Sequence, residues 1–502
     1  MNDEARQEQT ISFLEGRPDF DTRITTHCAH VFLYAGEALK IKRAVKYDYL
    51  DYSTLDLRLQ MLKRELQLNA GAAPDLYHDV VPIMRGSDGL SIGGAGDPVE
   101  WVLRMDRFPP EAELDHIAKT QGIPNDLADG LGRAVADYHA AATVRPEDGA
   151  DLIDEIIDEL NRFFVPVANQ VGPDRVSAFK NRIQGHFADV SDLLTLRTDQ
   201  GQVRRCHGDL HLRNIIMWRG APTPFDALEF SERLGTCDVL YDLAFLLMDL
   251  DHRGLPDAAC HVFNAYLFYG RADLSGLAAL PLFLAIRAGI RAMVDVQTAQ
   301  GQDDPSKLIS DAKAYLDQGL RYLQPPAPHL FAIGGLSGTG KTTLARKFAP
   351  GIGRVPGAVH IRSDLERKAL MGVDPLTRLP AAAYRPQVSD QVFAIMRTKA
   401  QAALQAGHPV VLDGVYAKPQ ERQSVEALAR ELGCPFAGIW LESDLATRQT
   451  RVSRRDHDAS DADAEVPRMQ EDFKIGPVTW HRLDSSQSID DLLNAARNII
   501  RT

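Results

Sequence analysis

Disulfide spacing is missing from this chain. Its five cysteines, Cys28, Cys206, Cys237, Cys260 and Cys434, are scattered, odd in number and free of any C-x-x-C pair. That excludes a disulfide framework and predicts reduced thiols in a cytoplasmic protein. Long hydrophobic runs are missing too. The longest apolar stretch, Leu277 to Ile286, has ten residues and contains Pro281, short of the roughly 18 needed to span a bilayer. The start, MNDEARQEQT, lacks the basic flank and apolar core of a secretion signal, so no membrane partner is expected. Positive charge is in deficit: 56 Lys and Arg against 69 Asp and Glu leave a net charge of −13, which argues against a broad nucleic-acid surface. No repeat is visible, and 44% hydrophobic with 25% charged residues excludes disorder or a fibre as the main state.

What is present is chemistry near two glycine-containing segments. Gly335-Leu336-Ser337-Gly338-Thr339-Gly340-Lys341-Thr342 fits G-x-x-x-x-G-K-[ST]. In such a loop backbone N–H groups surround phosphate oxygens, the lysine reaches the terminal phosphates and the hydroxyl of the last residue holds Mg²⁺. The apolar run before it and the helix-forming run from Thr343 supply strand, loop and helix in the required order. A nucleoside triphosphate site, with ATP and Mg²⁺ as cofactors, is the expectation.

At 502 residues the chain has room for two to four domains of roughly 100–200 residues each. Gln324-Pro-Pro-Ala-Pro-His329 is the clearest linker, because its three prolines cannot continue a helix. It divides residues 1–323 from 329–502, with 324–328 between them. Within the first part, residues of about 21–108 read as short strands with one helix. Val31–Tyr34 and Ala38–Val45 pair across Gly36-Glu37, where glycine tolerates a positive φ. The helix runs from Ser53-Thr54 to Asn69 with Ser53 as its cap, and Trp101–Met105 is a further strand. Residues of about 109–323 are mainly helical, interrupted from Val203 to Asp238. Beyond the linker, Phe331–Ile333, Ala358–Arg362, Pro409–Leu412 and Phe436–Leu441 alternate with helix-forming sequence, as in a parallel sheet flanked by helices.

Cys206-His-Gly-Asp-Leu-His-Leu-Arg-Asn214 resembles the H-G-D-x-x-x-x-N loop of aminoglycoside phosphotransferase-like kinases, relatives of the protein kinases. The resemblance implies that Asp209 orients or deprotonates an acceptor hydroxyl and that Asn214 holds Mg²⁺. The chemical need is plain, since an alcohol is a poor nucleophile until a fixed carboxylate takes its proton. A metal site built from Cys206, His207 and His211 would lack a fourth ligand. Downstream, Asp226 and Glu229 compete as the metal carboxylate, with Glu229 favoured by its spacing from Asp238; three apart on a strand, they would point to opposite faces. Asp242 is expected to brace the loop. Lys40 and Lys42 share one strand face, so either could pair with ATP phosphates while Glu65 holds it in place, or both could be solvated charges. The glycine-rich loop of protein kinases is replaced by Thr25-Thr-His-Cys-Ala-His-Val-Phe32. Arg287 and Arg291, one helical turn apart, either face an anionic substrate or pair with surface acids.

In the second part, Ser363, Asp364 and Arg367 sit at a strand end and the following helix turn, where ligands of open parallel sheets bind. This D-x-x-R resembles the acceptor-binding element of P-loop kinases such as gluconate and shikimate kinases and of the zeta-toxin group. The resemblance implies Asp364 as proton acceptor and Arg367 as substrate ligand; a capping Asp paired with a helix Arg is the plainer alternative. Asp413 ends an apolar strand, as expected of a carboxylate that holds Mg²⁺ or orients the nucleophile. Arg448, Arg451 and Arg455 share a helical face resembling the arginine-bearing lid of nucleotide monophosphate kinase-like proteins, and the polar run Arg454–Glu465 suits a mobile flap.

The whole order resembles bacterial fusions of an aminoglycoside phosphotransferase-like kinase with a C-terminal P-loop ATP-binding domain. It implies an α+β bilobal kinase-like domain followed by an α/β P-loop domain, and an enzyme moving the γ-phosphate of ATP to a hydroxyl of a small metabolite such as a sugar, amino sugar or amino alcohol. Two other functions stay open: a P-loop half acting as a nucleotide switch without its own acceptor, and a kinase of nucleic-acid ends or nucleotide sugars.

Overall fold

The computed structural model describes residues 3–47, 50–454, 459–463 and 465–501. These fall into two compact units that interleave along the chain: Met1–Ile123, Ala134–Gly149 and Arg197–Leu246 in the first, and Pro124–Arg133, Ala150–Leu196 and Leu247–Thr502 in the second.

The first unit holds an antiparallel sheet of β1 (Phe20–Thr25), β2 (Ala29–Tyr34), β3 (Glu37–Lys42), β4 (Tyr77–Gly86), β5 (Gly89–Ile92) and β6 (Asp97–Asp106), in spatial order β1-β2-β3-β6-β4-β5. Period-2 alternation decides what each face of β3 does. Leu39 and Ile41 join Phe32, Tyr34, Ile83 and Val102 on one face, covered by Ile11 and Leu14 of the Asp3–Glu15 helix. On the other face Ala38 meets Leu62 of the Leu55–Asn69 helix, and Lys40 and Lys42 turn the same way. That helix is capped by Thr54, whose hydroxyl accepts from Leu57 N. The expected cap, Ser53, instead donates to Asp51 at 2.6 Å, since Asp51 offers a charged acceptor two residues away. Gly36 makes the β2–β3 turn without a positive φ.

Four short strands, β7 (Val203–Arg205), β8 (Ile215–Trp218), β9 (Ala221–Pro224) and β10 (Thr236–Asp238), form two small antiparallel pairs, β7 with β10 and β8 with β9. The catalytic-loop candidate runs between β7 and β8. The segment Phe225–Phe230 is not a strand: Asp226 has φ 59° and the chain is irregular there, so the expected face alternation of Asp226 and Glu229 does not apply.

The second unit contains a parallel sheet of β11 (Leu330–Gly335), β12 (Val359–Arg362), β13 (Val410–Asp413), β14 (Phe436–Glu442) and β15 (His481–Asp484), ordered β12-β13-β11-β14-β15. All six residues of β11 are buried, as both faces of a central parallel strand should be. Phe331, Ile333, Ile439 and Leu441 pack with Leu344 and Phe348 of the Lys341–Phe348 helix and with Leu492 of the C-terminal Ile489–Arg501 helix. The sequence expectation missed β15, whose register with β14 pairs Leu441 with Leu483.

One helical run, Leu274–Ala299, is long and apolar enough to cross a bilayer by length and composition, and 72% of its most apolar window is buried inside the protein. Arg287 interrupts the apolar stretch that begins at Leu277. That arginine is 4% exposed, inside the core helix, so it is not one of the surface charges considered above; Arg291 lies 3.9 Å from Asp295.

Candidate functional site

In the first unit, Lys40 Nζ lies 2.6 Å from Glu65 Oε1 and 2.7 Å from Asp226 Oδ1. Lys42 Nζ lies 2.6 Å from Glu65 Oε2 and 2.5 Å from Glu229 Oε1. Burial alone would lower both lysine pKa values, but the surrounding carboxylates outweigh it and hold them above the ordinary range. The two halves of this ion network differ in access. Lys42 and Glu229 side chains are 2% and 9% exposed, and Tyr52 donates to Glu229 at 3.0 Å. Asp226 is 42% exposed, and its backbone is fixed by donation from Asp226 N to Tyr77 Oη at 3.0 Å and from Ala227 N to Asn69 Oδ1 at 2.9 Å. Tyr52, Tyr77 and Asn69 carried no motif that marked them in the sequence. The turn Thr26–Cys28 joins β1 to β2 where a glycine-rich loop was absent; Ala29 N donates to Thr26 Oγ1 at 3.0 Å there.

The Asp209 loop is held from behind. Asp242 Oδ1 and Oδ2 accept from Gly208 N and His207 N at 2.9 and 3.0 Å, the brace expected from the sequence. His139 Nε2 approaches the same carboxylate at 3.1 Å. His139, Cys206 and Asp242 place ligand-type atoms within 4.8 Å of one another, but the carboxylate already accepts from the loop backbone, so the cluster is a hydrogen-bonded support. His207 accepts from Asp209 N at 3.3 Å on Nδ1, so Nε2 carries the proton given to Phe225 O at 2.9 Å. Burial lowers its pKa and favours that neutral form. Asn214 Nδ2 donates to Asp209 O and Oδ2, each at 2.9 Å, which leaves the Asn214 amide oxygen for another partner. Asp209 itself stays 43% exposed. Lysine strand, glutamate helix, H-G-D loop and downstream carboxylate together give this region a protein-kinase-like architecture.

In the second unit, Gly335, Gly338 and Gly340 have φ of 142°, 85° and 88°, values that side chains resist. Gly338 packs so tightly that a Cβ would stand 2.5 Å from Arg448 O. Lys341 Nζ rests on Leu336 O at 3.1 Å, and Ser337 N donates to Gln470 Oε1 at 2.6 Å. Thr342 Oγ1 donates to Asp413 Oδ2 at 2.6 Å. Burial works against the Asp413 charge, but His360, Arg362 and Lys341 outweigh it and hold the pKa at about 2. His360 and Arg362 occupy alternate positions of β12, at 3.5 and 3.9 Å from Asp413; period-2 spacing beside a carboxylate strand was the overlooked signal.

Asp364 lies in the first turn of the Ser363–Leu370 helix, and burial raises its carboxyl pKa. Arg367 donates to Ala383 O at 2.7 Å and stacks on Tyr384 at 4.8 Å. The expected arginine face divides. Arg448 is 2% exposed and engaged by Glu471 and by Pro467 O, with the chain beyond residue 465 covering it. Arg451 donates to Ser485 O at 2.6 Å, and its guanidinium is 3.8 Å from where a Cβ of Gly340 would stand. Arg455 lies outside the described residues. The described part of the polar run is tied down rather than loose: Asp461 accepts from Lys368 and Tyr384 at 2.6 Å each and from Leu379 N at 2.9 Å. A cavity of about 530 Å³ borders Thr342, Arg346, His360 and Arg362, and neither Asp364 nor Arg367 is among its lining residues.

Residues 330–474 match the family described as the AAA domain. Over nearly the whole chain, the protein is similar to the uncharacterized protein Rv2004c of Mycobacterium tuberculosis, at 28% identity over 499 residues, covering 97% of this chain and 96% of that protein. Among solved structures, a choline/ethanolamine kinase family protein from Mesorhizobium loti is 14% identical with a TM-score of 0.38, covering 64% of this chain and 99% of that one. A gluconokinase from Sinorhizobium meliloti 1021 is 19% identical with a TM-score of 0.25, covering 35% and 93%.

Proposed function

We propose that the chain is an ATP-dependent phosphotransferase with two nucleotide sites, acting on a hydroxyl of a small metabolite: a sugar, amino sugar or amino alcohol. The observation that carries this reading is the Thr342–Asp413 hydrogen bond of 2.6 Å at the mouth of a complete phosphate loop. A hydroxyl and an ionised carboxylate on one spot are hard oxygen donors that suit Mg²⁺. When bound, the ion neutralises charge on the phosphate oxygens during transfer. Lys341 then supports the terminal phosphate, Asp364 takes the acceptor proton, Arg367 holds the acceptor and Arg451 covers the loop.

In the first unit Asp209 takes the acceptor proton. The Asn214 amide oxygen and Asp226 fit a second Mg²⁺, and the exposure of Asp226 favours it over Glu229, which is used up by Lys42 and Tyr52. By the same reasoning Lys40 faces the nucleotide while Lys42 secures the Leu55–Asn69 helix. The chain divides functionally at 324–328, with residues 1–323 and 329–502 each carrying one site. A second reading takes the P-loop as a nucleotide switch without its own acceptor. Phosphoryl transfer from labelled ATP by wild type, Asp209→Asn and Lys341→Ala tests both: acceptor products lost with Lys341→Ala support catalysis there, whereas ATP binding without any such product supports the switch.

A further inference from the structure

Glu232 lies six residues beyond Asp226 in no recognised motif, yet it collects three arginines from three segments. Arg64 comes from the Leu55–Asn69 helix, one residue before Glu65, and ends on Glu232 Oε2. Arg205 comes from β7, immediately before the Asp209 loop, and places Nε 3.2 Å from Oε2. Arg145 ends on Oε1, and its own backbone is tied to β7 by donation from Arg145 N to Val203 O at 2.9 Å.

Arg205 extends the connection inward. Its side chain is 3% exposed; Nη1 donates to Cys206 O at 2.6 Å and Nη2 donates to Leu228 O, directly before Glu229. Leu228 N in turn donates to His207 O at 2.9 Å. Gly235 leaves the space this guanidinium needs, since a Cβ there would stand 1.9 Å from Nη1.

An isolated exposed ion pair contributes little, but three guanidiniums on one carboxylate are a different case. Without it, three positive charges would face each other across the junction of helix, loop and metal-carboxylate segment. A cavity of about 640 Å³ borders Arg64, Arg145 and Arg205, so a small anion has a path to them.

We propose that Glu232 is a positioning residue of the first phosphotransfer site. It sets the Leu55–Asn69 helix, and so Glu65 and Lys40, in register with Asp209 and Asp226. This rests on reading that site as a nucleotide site.

The test uses the full chain carrying Lys341→Ala, so that nucleotide binding reports the first site, with AMPPNP as probe and hydrogen exchange followed over 55–69 and 206–214. Glu232→Gln is expected to weaken AMPPNP binding roughly fivefold or more and to speed exchange in both segments. Glu232→Asp should restore most of the loss, and sodium formate should restore Glu232→Ala by entering between the arginines. Glu232→Gln indistinguishable from its parent in exchange, or Glu232→Ala indifferent to formate, would overturn the proposal. If the Lys341→Ala parent binds no AMPPNP, the nucleotide reading of this site falls, while the exchange data still decide whether Glu232 positions these segments.

Discussion

Glu65 carries one lysine on each carboxylate oxygen, Lys40 on Oε1 and Lys42 on Oε2, both at 2.6 Å, and its side chain is fully buried. Removing its charge leaves two cations in a site built for a shared anion. Glu65→Gln is expected to cost about 3 kcal/mol in urea denaturation, at the lower end for breaking a buried pair because Asp226 and Glu229 remain.

The same geometry separates the lysines. Lys40 side-chain exposure is 12% against 2% for Lys42, and only Lys40 touches the exposed Asp226. Lys40→Ala should abolish nucleotide binding at the first site with a small change in stability. Lys42→Ala should mainly lower the unfolding midpoint. Isothermal titration beside thermal unfolding of both variants checks the split.

Asp413 makes a pH-dependent contribution whose sign follows from its depressed pKa. A carboxylate held at about 2 stabilises the fold fully above its unfolded value near 4 and loses that contribution as pH falls through about 2. The stability gap between wild type and Asp413→Asn should therefore be roughly constant above about pH 4, on the order of 2 kcal/mol, and should shrink on further acidification. Urea melts across this range measure it.

Asp364 shifts the other way. Burial raises its pKa, so its proton-accepting form appears only at higher pH than for an ordinary carboxylate. Transfer at the second site should show an acidic limb clearly above about pH 4, and Asp364→Asn should lower the rate about 10²-fold or more. A limb at the ordinary carboxylate position would contradict that assignment.

Gly338 has no room for a side chain, with φ at 85° and a Cβ position 2.5 Å from a backbone oxygen. Gly338→Ala should cost more than about 1 kcal/mol and remove the ATP-dependent rise in thermal midpoint.

How much of this could be read beforehand depended on whether a residue acts through its neighbours in sequence. Gly335–Thr342 was legible because a phosphate loop is local: glycine φ values, lysine and hydroxyl lie within eight residues. Its sheet was legible from apolar strands ending in functional residues. The proposed preference for Asp226 over Glu229 was not, because it rests on burial and on a left-handed backbone at Asp226, which spacing does not reveal. Arg448 looked like Arg451 in sequence and differs only because a later segment covers it. Glu232, Tyr52 and Gln470 find partners up to 177 residues away, contacts without a periodic signature.

The central claim is that two separate phosphate sites each serve phosphoryl transfer. Its most direct test is transfer from labelled ATP to a panel of sugars, amino sugars, amino alcohols and nucleotide sugars, run on wild type, Asp209→Asn and Lys341→Ala in parallel. The account predicts at least one product lost with Asp209→Asn but kept by Lys341→Ala, and another with the reverse pattern. Products that survive unchanged in both variants would contradict it.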